Sequence, residues 1–240
     1  MNPNPSSPPY RDRHHAGRVL ATLLAQHLGQ AGLLVLALPR GGVAVGYEVA
    51  RALQAPLDIF VVRKLGLPGH EEYAIGAIAS GGVCVLNPLA GQVVDQDEME
   101  AVLAKERREL QRREQLYRGE RAAQPLRDRF VIVVDDGLAT GSTMRAALKA
   151  IRQQQPARLV VAVPVGPQST CERLRNVADE VVCALVPTPF HAVGLWYQNF
   201  PQASDEEVRM LLKDAYRLHV LDHPEGGKND PSIFTPSGAE

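Results

Sequence analysis

The sequence predicts an α/β fold with a central parallel sheet flanked by helices. Short, continuous apolar runs recur along the chain, and segments with apolar residues at helical spacing separate them. Strands that are apolar on both faces are typical of a parallel sheet covered by helices on either side. The predicted strands are 33–38, 57–62, 130–134, 159–163 and 181–185.

The intervening segments carry helix signals. Ser169 with Glu172, and Ser204 with Glu207, fit the capping box, in which a hydroxyl and a carboxylate bind free amides of the first helical turn. Residues 95–118 predict a long, heavily charged helix with a thin apolar face. We expect this helix to pack against the body of the protein or against a second subunit.

One main domain is predicted at 14–222, because 240 residues with 45% apolar composition can bury one substantial core. A small hood subdomain is expected from an N-terminal helix and from residues after about Thr188. The two ends, 1–13 and 223–240, are polar and rich in Pro or Gly, and we predict that they form flexible tails.

Composition narrows the function classes. The 26 basic and 27 acidic residues nearly cancel, so no global field favours nucleic acid or a membrane as partner, and a small molecule is expected instead. Cys84, Cys171 and Cys183 lie far apart without CxxC spacing, which indicates reduced thiols and argues against a zinc site. The chain shows no signal-peptide core and no apolar run of membrane-span length, so we expect a cytoplasmic protein.

The segment VVDDGLATGSTM, 133–144, is the most informative part of the sequence. Asp135 and Asp136 follow a buried strand, and Gly137 and Gly141 permit a tight turn into a helix whose N-terminus suits an anion. The segment is not a Walker A loop, because the required Lys is missing, and it is not GxGxxG. Since carboxylates repel phosphate, the acidic pair is expected to bind ribose hydroxyls or a bridging magnesium ion.

This segment resembles the signature of the type I phosphoribosyltransferases: apolar residues, two acids, a small-residue turn and Thr-Gly-x-Thr. The resemblance implies that family's fold and a phosphoribosyl pyrophosphate (PRPP) ligand with Mg²⁺, and that Asp135 and Asp136 hold the ribose hydroxyls. The residues that it places around the 5′-phosphate, after Gly137, are Ala139, Thr140, Gly141, Ser142 and Thr143. The alternative without a ligand is a capped strand-to-helix turn with an exposed acidic pair.

The segment LALPRGGVAVG, 36–46, resembles the family's pyrophosphate loop. After Pro39, Arg40 supplies a fixed positive charge, and Gly41 and Gly42 let backbone amides turn toward phosphate oxygens. Taken alone, this motif is more often an ordinary turn, but its position two strands before the acidic pair matches the family.

Arg63 and Lys64 end a predicted strand, as in orotate phosphoribosyltransferases, and are predicted to neutralise the departing pyrophosphate. A Gly-rich stretch follows, where the family has its flexible catalytic loop. The alternative is a strand that ends in two solvated cations. The second Lys of the orotate pattern is absent, and His70 is the nearest ionisable residue, so orotate specificity is not supported.

The family chemistry implies transfer of the phosphoribosyl group to a nitrogen acceptor, with release of pyrophosphate. Catalysis of this transfer requires electrostatic stabilisation, since negative charge grows on the departing pyrophosphate and the ribose gains oxocarbenium character. The residues that the resemblance assigns to catalysis are Arg40, Lys64, Asp135 and Asp136.

The acceptor is not identified by the sequence. Phe190, Trp196 and Tyr197 are predicted to line its pocket, and packing in the core is the alternative for each. Ala139 stands where hypoxanthine-guanine members have an Asp, which leaves no general base assigned. A nucleobase and another small-molecule acceptor both remain open.

Two further alternatives concern the protein's class. A non-catalytic PRPP-binding regulatory protein would use the same fold and ligand site, since neither guarantees turnover. A receiver-type signalling domain fits less well, because its acidic pair follows the first strand and it lacks the Thr-Gly-Ser-Thr loop. A homodimer is an expectation from the family alone.

Overall fold

The computed structural model describes residues 8–87 and 94–222. The predicted tails at 1–7 and 223–240 lie outside the described residues. The strands in the described part are β1 (Leu33–Ala37), β2 (Leu57–Ile59), β3 (Val62–Leu67), β4 (His70–Ala79), β5 (Val83–Leu86), β6 (Phe130–Val134), β7 (Arg158–Val165) and β8 (Glu180–Leu185). Five of them form a parallel sheet in the order β2-β1-β6-β7-β8, and three form a separate antiparallel sheet in the order β3-β4-β5.

Helices cover both faces of the parallel sheet. Alternate residues of β1 and β6 point to opposite faces, and each set joins a different buried cluster. The predicted central parallel sheet flanked by helices is therefore confirmed. The helices are α1 (Arg13–Leu23), α2 (Gly42–Leu53), α3 (Gln96–Arg118), α4 (Ser142–Gln153), α5 (Gln168–Leu174) and α6 (Asp205–Asp222).

The second sheet corrects the prediction for the segment after β2. The predicted strand 57–62 ends at Ile59, and the Gly-rich stretch that we expected to be a flexible loop forms β3 and β4, which pair antiparallel. Gly69 has a positive φ of 74° in the turn between them, which permits the chain to reverse. The glycines of this segment thus serve a hairpin.

The two predicted capping boxes have different outcomes. The Ser204 hydroxyl accepts a hydrogen bond from the Glu207 amide at 3.0 Å, so this residue caps α6 as predicted. The prediction for Ser169 and Glu172 is wrong, because α5 already begins at Gln168 after Pro167 and has no side-chain cap. Glu172 instead accepts a hydrogen bond from the Gln168 side chain at 2.8 Å.

Helix α3 packs against the body of the protein. Leu110 is buried in the main core, and Met99, Val102, Leu103 and Leu116 pack against that core. The thin apolar face predicted for this helix therefore has a partner within the same chain.

The predicted boundary of the N-terminal tail lies too far along the chain. Tyr10 is only 2% exposed, and its hydroxyl donates to the Pro164 carbonyl at 2.8 Å. Asp12 caps α1 by accepting from the His15 amide, and Arg13 is the first residue of that helix. Residues 8–13 belong to the folded body because an aromatic residue in this polar segment finds a buried site that only the tertiary fold provides.

Candidate active site

The loops that follow β1 and β6 lie side by side at the carboxyl edge of the parallel sheet. Ala37 is opposite Val134, and the Leu38 amide donates to the Val134 carbonyl at 2.9 Å. Residues 39–42 and 135–143 therefore meet at the edge where open parallel sheets bind ligands.

Gly41 and Gly42 bring the first loop into contact with the acidic pair. A Cβ atom on Gly41 would overlap with Asp136 Oδ2, and one on Gly42 would lie 3.0 Å from Asp135 Cα. The preceding Pro39-Arg40 peptide bond is cis. Glycine is therefore required here because the two loops approach so closely, a reason that the sequence did not reveal.

The acidic pair keeps unfilled hydrogen-bonding capacity. Asp135 Oδ1 accepts from the Asp136 amide at 2.9 Å, and no other group in residues 8–87 or 94–222 donates to the Asp135 carboxylate. Burial raises the pKa of Asp135 well above its ordinary value, and the charge of Asp136 raises it further. Burial also raises the pKa of Asp136, although the ion pair with Arg13 opposes this. Such a pair is suited to bind hydroxyl donors or a cation.

Arg13 is a site residue that the sequence analysis missed. Its Nε donates to Asp136 Oδ2 at 2.7 Å, and its Nη1 donates to the Pro201 carbonyl at 2.7 Å. The guanidinium lies over the Phe200 ring, 3.8 Å from the centroid. No local motif marks Arg13, because all of these partners are more than 100 residues away in the sequence.

The second loop ends at the N-terminus of α4. Gly141 precedes the helix with a φ of 72° and provides no side-chain cap. The Ser142 amide donates to Thr140 Oγ1 at 3.4 Å, and the amides of Thr143 and Met144 remain available to an anion. Ala139, Thr140 and Thr143 are exposed, and Ser142 is half-buried. The structure thus places the predicted phosphate-binding residues together on one accessible helix start.

Thr170 of α5 packs against this loop, and the sequence analysis did not identify it. Its hydroxyl donates to the Ala139 carbonyl at 3.0 Å, and its methyl group occupies the space where Gly141 would carry a Cβ. Gly137 is held in a similar way, since a Cβ there would lie 2.5 Å from Val193. Two glycines assigned to ligand binding therefore also allow close packing of the loop.

The three predicted cations have different surroundings. Arg40 belongs to the first loop, and its Nη1 lies 3.6 Å from Asp205 Oδ1 at the start of α6. Arg63 donates to Glu106 on α3 from Nε at 2.8 Å and from Nη2 at 2.7 Å. Lys64 is exposed on β3 and has no ion pair with another described residue. Arg63 is therefore already paired within the protein, whereas the Lys64 side chain is exposed.

The predicted acceptor aromatics belong to a small cluster beside the acidic pair. Tyr197 is 4% exposed, and its hydroxyl donates to the Asp136 carbonyl at 2.6 Å. Phe190 and Trp196 are half-buried and pack on the same cluster, which Tyr10 completes by packing its ring near that of Tyr197. Tyr197 is thus a core residue, and only Phe190 and Trp196 retain exposed surface.

A family model described as a phosphoribosyl transferase domain matches residues 10–196. The matched span includes both loops, the acidic pair and every strand of the two sheets. The chain belongs to the phosphoribosyl transferase domain family. The match begins at Tyr10, the first aromatic residue of the segment that the sequence analysis had assigned to a tail.

Comparison with similar proteins supports this family assignment. The chain is 47% identical over 229 residues, 95% of its length, to proteins of Mycobacterium tuberculosis strains CDC 1551 and H37Rv, each named "Putative phosphoribosyl transferase". It spans about half, 51%, of the length of these curated relatives. The crystal structure of TT1426 from Thermus thermophilus is 46% identical, with a TM-score of 0.76, and the match covers 85% of this chain and 98% of that one.

The family implies a magnesium ion, and the described residues fit it in part. Asp135 and Asp136 offer the oxygen donors that this ion prefers, with capacity unfilled by the protein. Among the side chains that the structure describes, which leave out those of Glu71, Glu72 and Asp222, no three His, Cys, Asp or Glu converge as a metal site. An ion here would therefore take its other ligands from the bound substrate and from water. Among the described helices, none combines the length and apolar character needed to cross a bilayer.

Proposed function

We propose that this protein binds 5-phosphoribosyl 1-pyrophosphate with magnesium and transfers its phosphoribosyl group to a nitrogen acceptor, with release of pyrophosphate. The observation that carries the proposal is the contact between the two loops: Gly41 and Gly42 lie against Asp136 and Asp135. One small site therefore combines an anion-binding turn, a glycine loop with a nearby arginine, and an acidic pair.

The three parts of the ligand correspond to three parts of this site. The first-turn amides of α4 and the hydroxyls of Thr140, Ser142 and Thr143 would bind the 5′-phosphate. Asp135 and Asp136 would accept hydrogen bonds from the ribose hydroxyls, which satisfies carboxylates that the protein leaves incompletely paired. The amides of Arg40 and Gly41 would bind the pyrophosphate, since Pro39 has no N–H and the Gly42 amide donates to the Leu38 carbonyl.

Catalysis in this proposal is electrostatic. Arg40 and Lys64 stabilise the negative charge that grows on the departing pyrophosphate, and a magnesium ion held through the acidic pair and the ligand would add Lewis-acid stabilisation of the same charge. The acceptor nitrogen approaches the anomeric carbon from the opposite side. Phe190 and Trp196 offer half-buried aromatic surface for a planar acceptor such as a nucleobase.

A non-catalytic PRPP-binding regulator is the second candidate. It is favoured by the carboxylates that lie beside two of the predicted cations. Arg63 is paired with Glu106, and Arg40 lies 3.6 Å from Asp205. These carboxylates reduce the charge available to stabilise a leaving group. The two candidates share the ligand and differ in turnover.

The proposal is tested by calorimetric titration with PRPP and magnesium. The parent is expected to bind, and the Asp135→Asn, Asp136→Asn double variant should bind at least about 100-fold more weakly, since two or more charge-assisted hydrogen bonds are weakened. Asp97→Asn removes an exposed carboxylate on α3 and serves as the control that should bind like the parent. Absence of binding by the folded parent would contradict the proposal.

Pyrophosphate release then separates the two candidates. A coupled assay for released pyrophosphate, run with PRPP, magnesium and a panel of nucleobases and other nitrogen acceptors, should detect at least one substrate for an enzyme. Lys64→Met should reduce turnover more than PRPP affinity. Tight binding without release for any acceptor would favour the regulatory protein.

A further inference from the structure

Arg13 links three elements that are far apart in sequence and meet at the candidate active site. It is the first residue of α1, and its main partner Asp136 lies 123 residues further along the chain. Its side chain is only 11% exposed, so its position is fixed by these contacts. This inference rests on the proposed function, because it assigns Arg13 a role in the same site.

The contacts leave the guanidinium little freedom. Nε donates to Asp136 Oδ2 at 2.7 Å, Nη1 donates to the Pro201 carbonyl at 2.7 Å, and the plane covers the Phe200 ring. On the other side, a Cβ on Gly41 would lie 3.2 Å from Nε. Arg13 is therefore enclosed by the acidic pair, the glycine loop and the segment that follows the aromatic cluster.

This geometry fixes which oxygen of Asp136 can serve a ligand. Oδ2 is held by Arg13 against Gly41, whereas Oδ1 receives no hydrogen bond from any other described residue. The free oxygen can accept a hydrogen bond from a ribose hydroxyl without reorientation of the side chain. A carboxylate oriented in advance binds a hydroxyl more tightly than one that must be ordered on binding.

The charge of Arg13 also matters for an anionic ligand. Two adjacent carboxylates, when both are ionised, repel the phosphates of PRPP, and the guanidinium offsets one of the two charges. Because the ion pair is largely removed from water, the compensation is screened less than at the surface.

We propose that Arg13 is a positioning residue of the PRPP site: it orients Asp136 for the ribose hydroxyls and offsets the charge of the acidic pair. The first turn of α1, which carries Arg13, is thus part of the ligand site. The role is indirect, since Arg13 acts through Asp136.

The test compares Arg13→Met and Arg13→Lys with the parent in calorimetric titrations with PRPP and magnesium. Arg13→Met should bind PRPP roughly 10- to 100-fold more weakly, because a charge-assisted hydrogen bond that orients the site is lost. Arg13→Lys retains the charge without the planar fork and should recover part of the affinity. Arg18→Met is the control on the same helix, since Arg18 pairs with Glu48 of α2 and not with a residue of either loop.

A comparison of two sugar phosphates distinguishes a positioning role of Arg13 from a purely structural one. The parent should prefer ribose 5-phosphate to 2-deoxyribose 5-phosphate in NMR titrations, and Arg13→Met should reduce this preference while still binding the shared phosphate. Equal losses for both sugar phosphates would indicate a purely structural role and overturn the inference. Unchanged PRPP affinity in Arg13→Met would overturn it and leave the proposed function intact, whereas absence of PRPP binding by the parent would overturn both.

Discussion

Two clusters of buried or half-buried charged side chains in this protein differ in how many hydrogen-bond partners the protein gives them. At the junction of β2 and α3, Asp58 and Arg118 form a buried ion pair at 2.8 Å, and both side chains have further partners in the protein. Asp58 also accepts from the amides of Ile59 and Gln124, and Arg118 also donates to Glu114 and to the Ile59 carbonyl. At the end of β6, Arg13 pairs with Asp136 alone, and each of the two carboxylates has an oxygen that accepts no hydrogen bond from another described residue.

The difference indicates what each cluster is for. A buried ion pair with several protein partners fixes the arrangement of the distant segments that it joins, and its burial keeps it away from a ligand. An incompletely paired acidic couple destabilises the free protein and is relieved when a ligand binds. Substitutions in the first cluster should therefore lower stability without changing ligand affinity, and substitutions in the second should lower ligand affinity without lowering stability.

The largest effect is expected for Arg118→Met. This change leaves the Asp58 carboxylate buried without its cation, which should reduce the free energy of unfolding by about 3–5 kcal/mol. The melting temperature should fall by roughly 6–20 °C for a chain of this length. Calorimetric melting checks this, with Arg108→Met, an exposed residue of the same helix, as control. A strong loss of PRPP affinity in the folded variant would contradict the expectation that this cluster affects stability alone.

A smaller effect of opposite sign is expected for Asp135→Asn. Because burial and Asp136 raise the pKa of Asp135 above 3.8, the folded state retains a proton that the unfolded chain has already released. Ionisation of Asp135 therefore lowers stability as the pH rises through the window between 3.8 and the raised pKa. The neutral variant should melt a few degrees higher at neutral pH, on the order of 1 kcal/mol.

That gain should shrink as the pH falls toward 3.8, where Asp135 is protonated in the folded state and increasingly in the unfolded chain. Melting temperatures of the parent and the variant across about pH 4 to 8, on the order of one measurement per pH unit, check the trend. Asp97→Asn, which removes an exposed carboxylate, should show no such gain. A variant that is less stable than the parent at every pH would contradict the interpretation of the pair.

The smallest effect is expected for Arg63→Met. Arg63 is engaged by Glu106, so its loss should change PRPP affinity by less than about 3-fold and reduce stability by about 1 kcal/mol or less, as for a partly exposed ion pair. Titration and melting of the same sample measure both. A loss of affinity above about 10-fold would mean that Arg63 leaves Glu106 to bind the ligand, which would place it in the active site.

The sequence anticipated the elements whose signals are local. The five apolar runs became the parallel sheet, and residues 135–143 formed a strand-to-helix turn because its glycines and small residues are contiguous. The segment 62–86 was not anticipated, because antiparallel pairing of β3 with β4 and β5 depends on partners along the chain that periodicity does not identify. The same limit explains why a hairpin was expected to be a flexible loop.

The sequence by itself determined the fold class and the chemical character of the site, because strand periodicity and the acidic-pair motif are properties of neighbouring residues. Tertiary structure alone decided which side chains serve that site. It brought Arg13 to Asp136, placed Thr170 under Ala139, and paired Arg63 with Glu106. Each of these contacts spans tens of residues or more, and their distances depend on how helices and sheets pack, which no local pattern encodes.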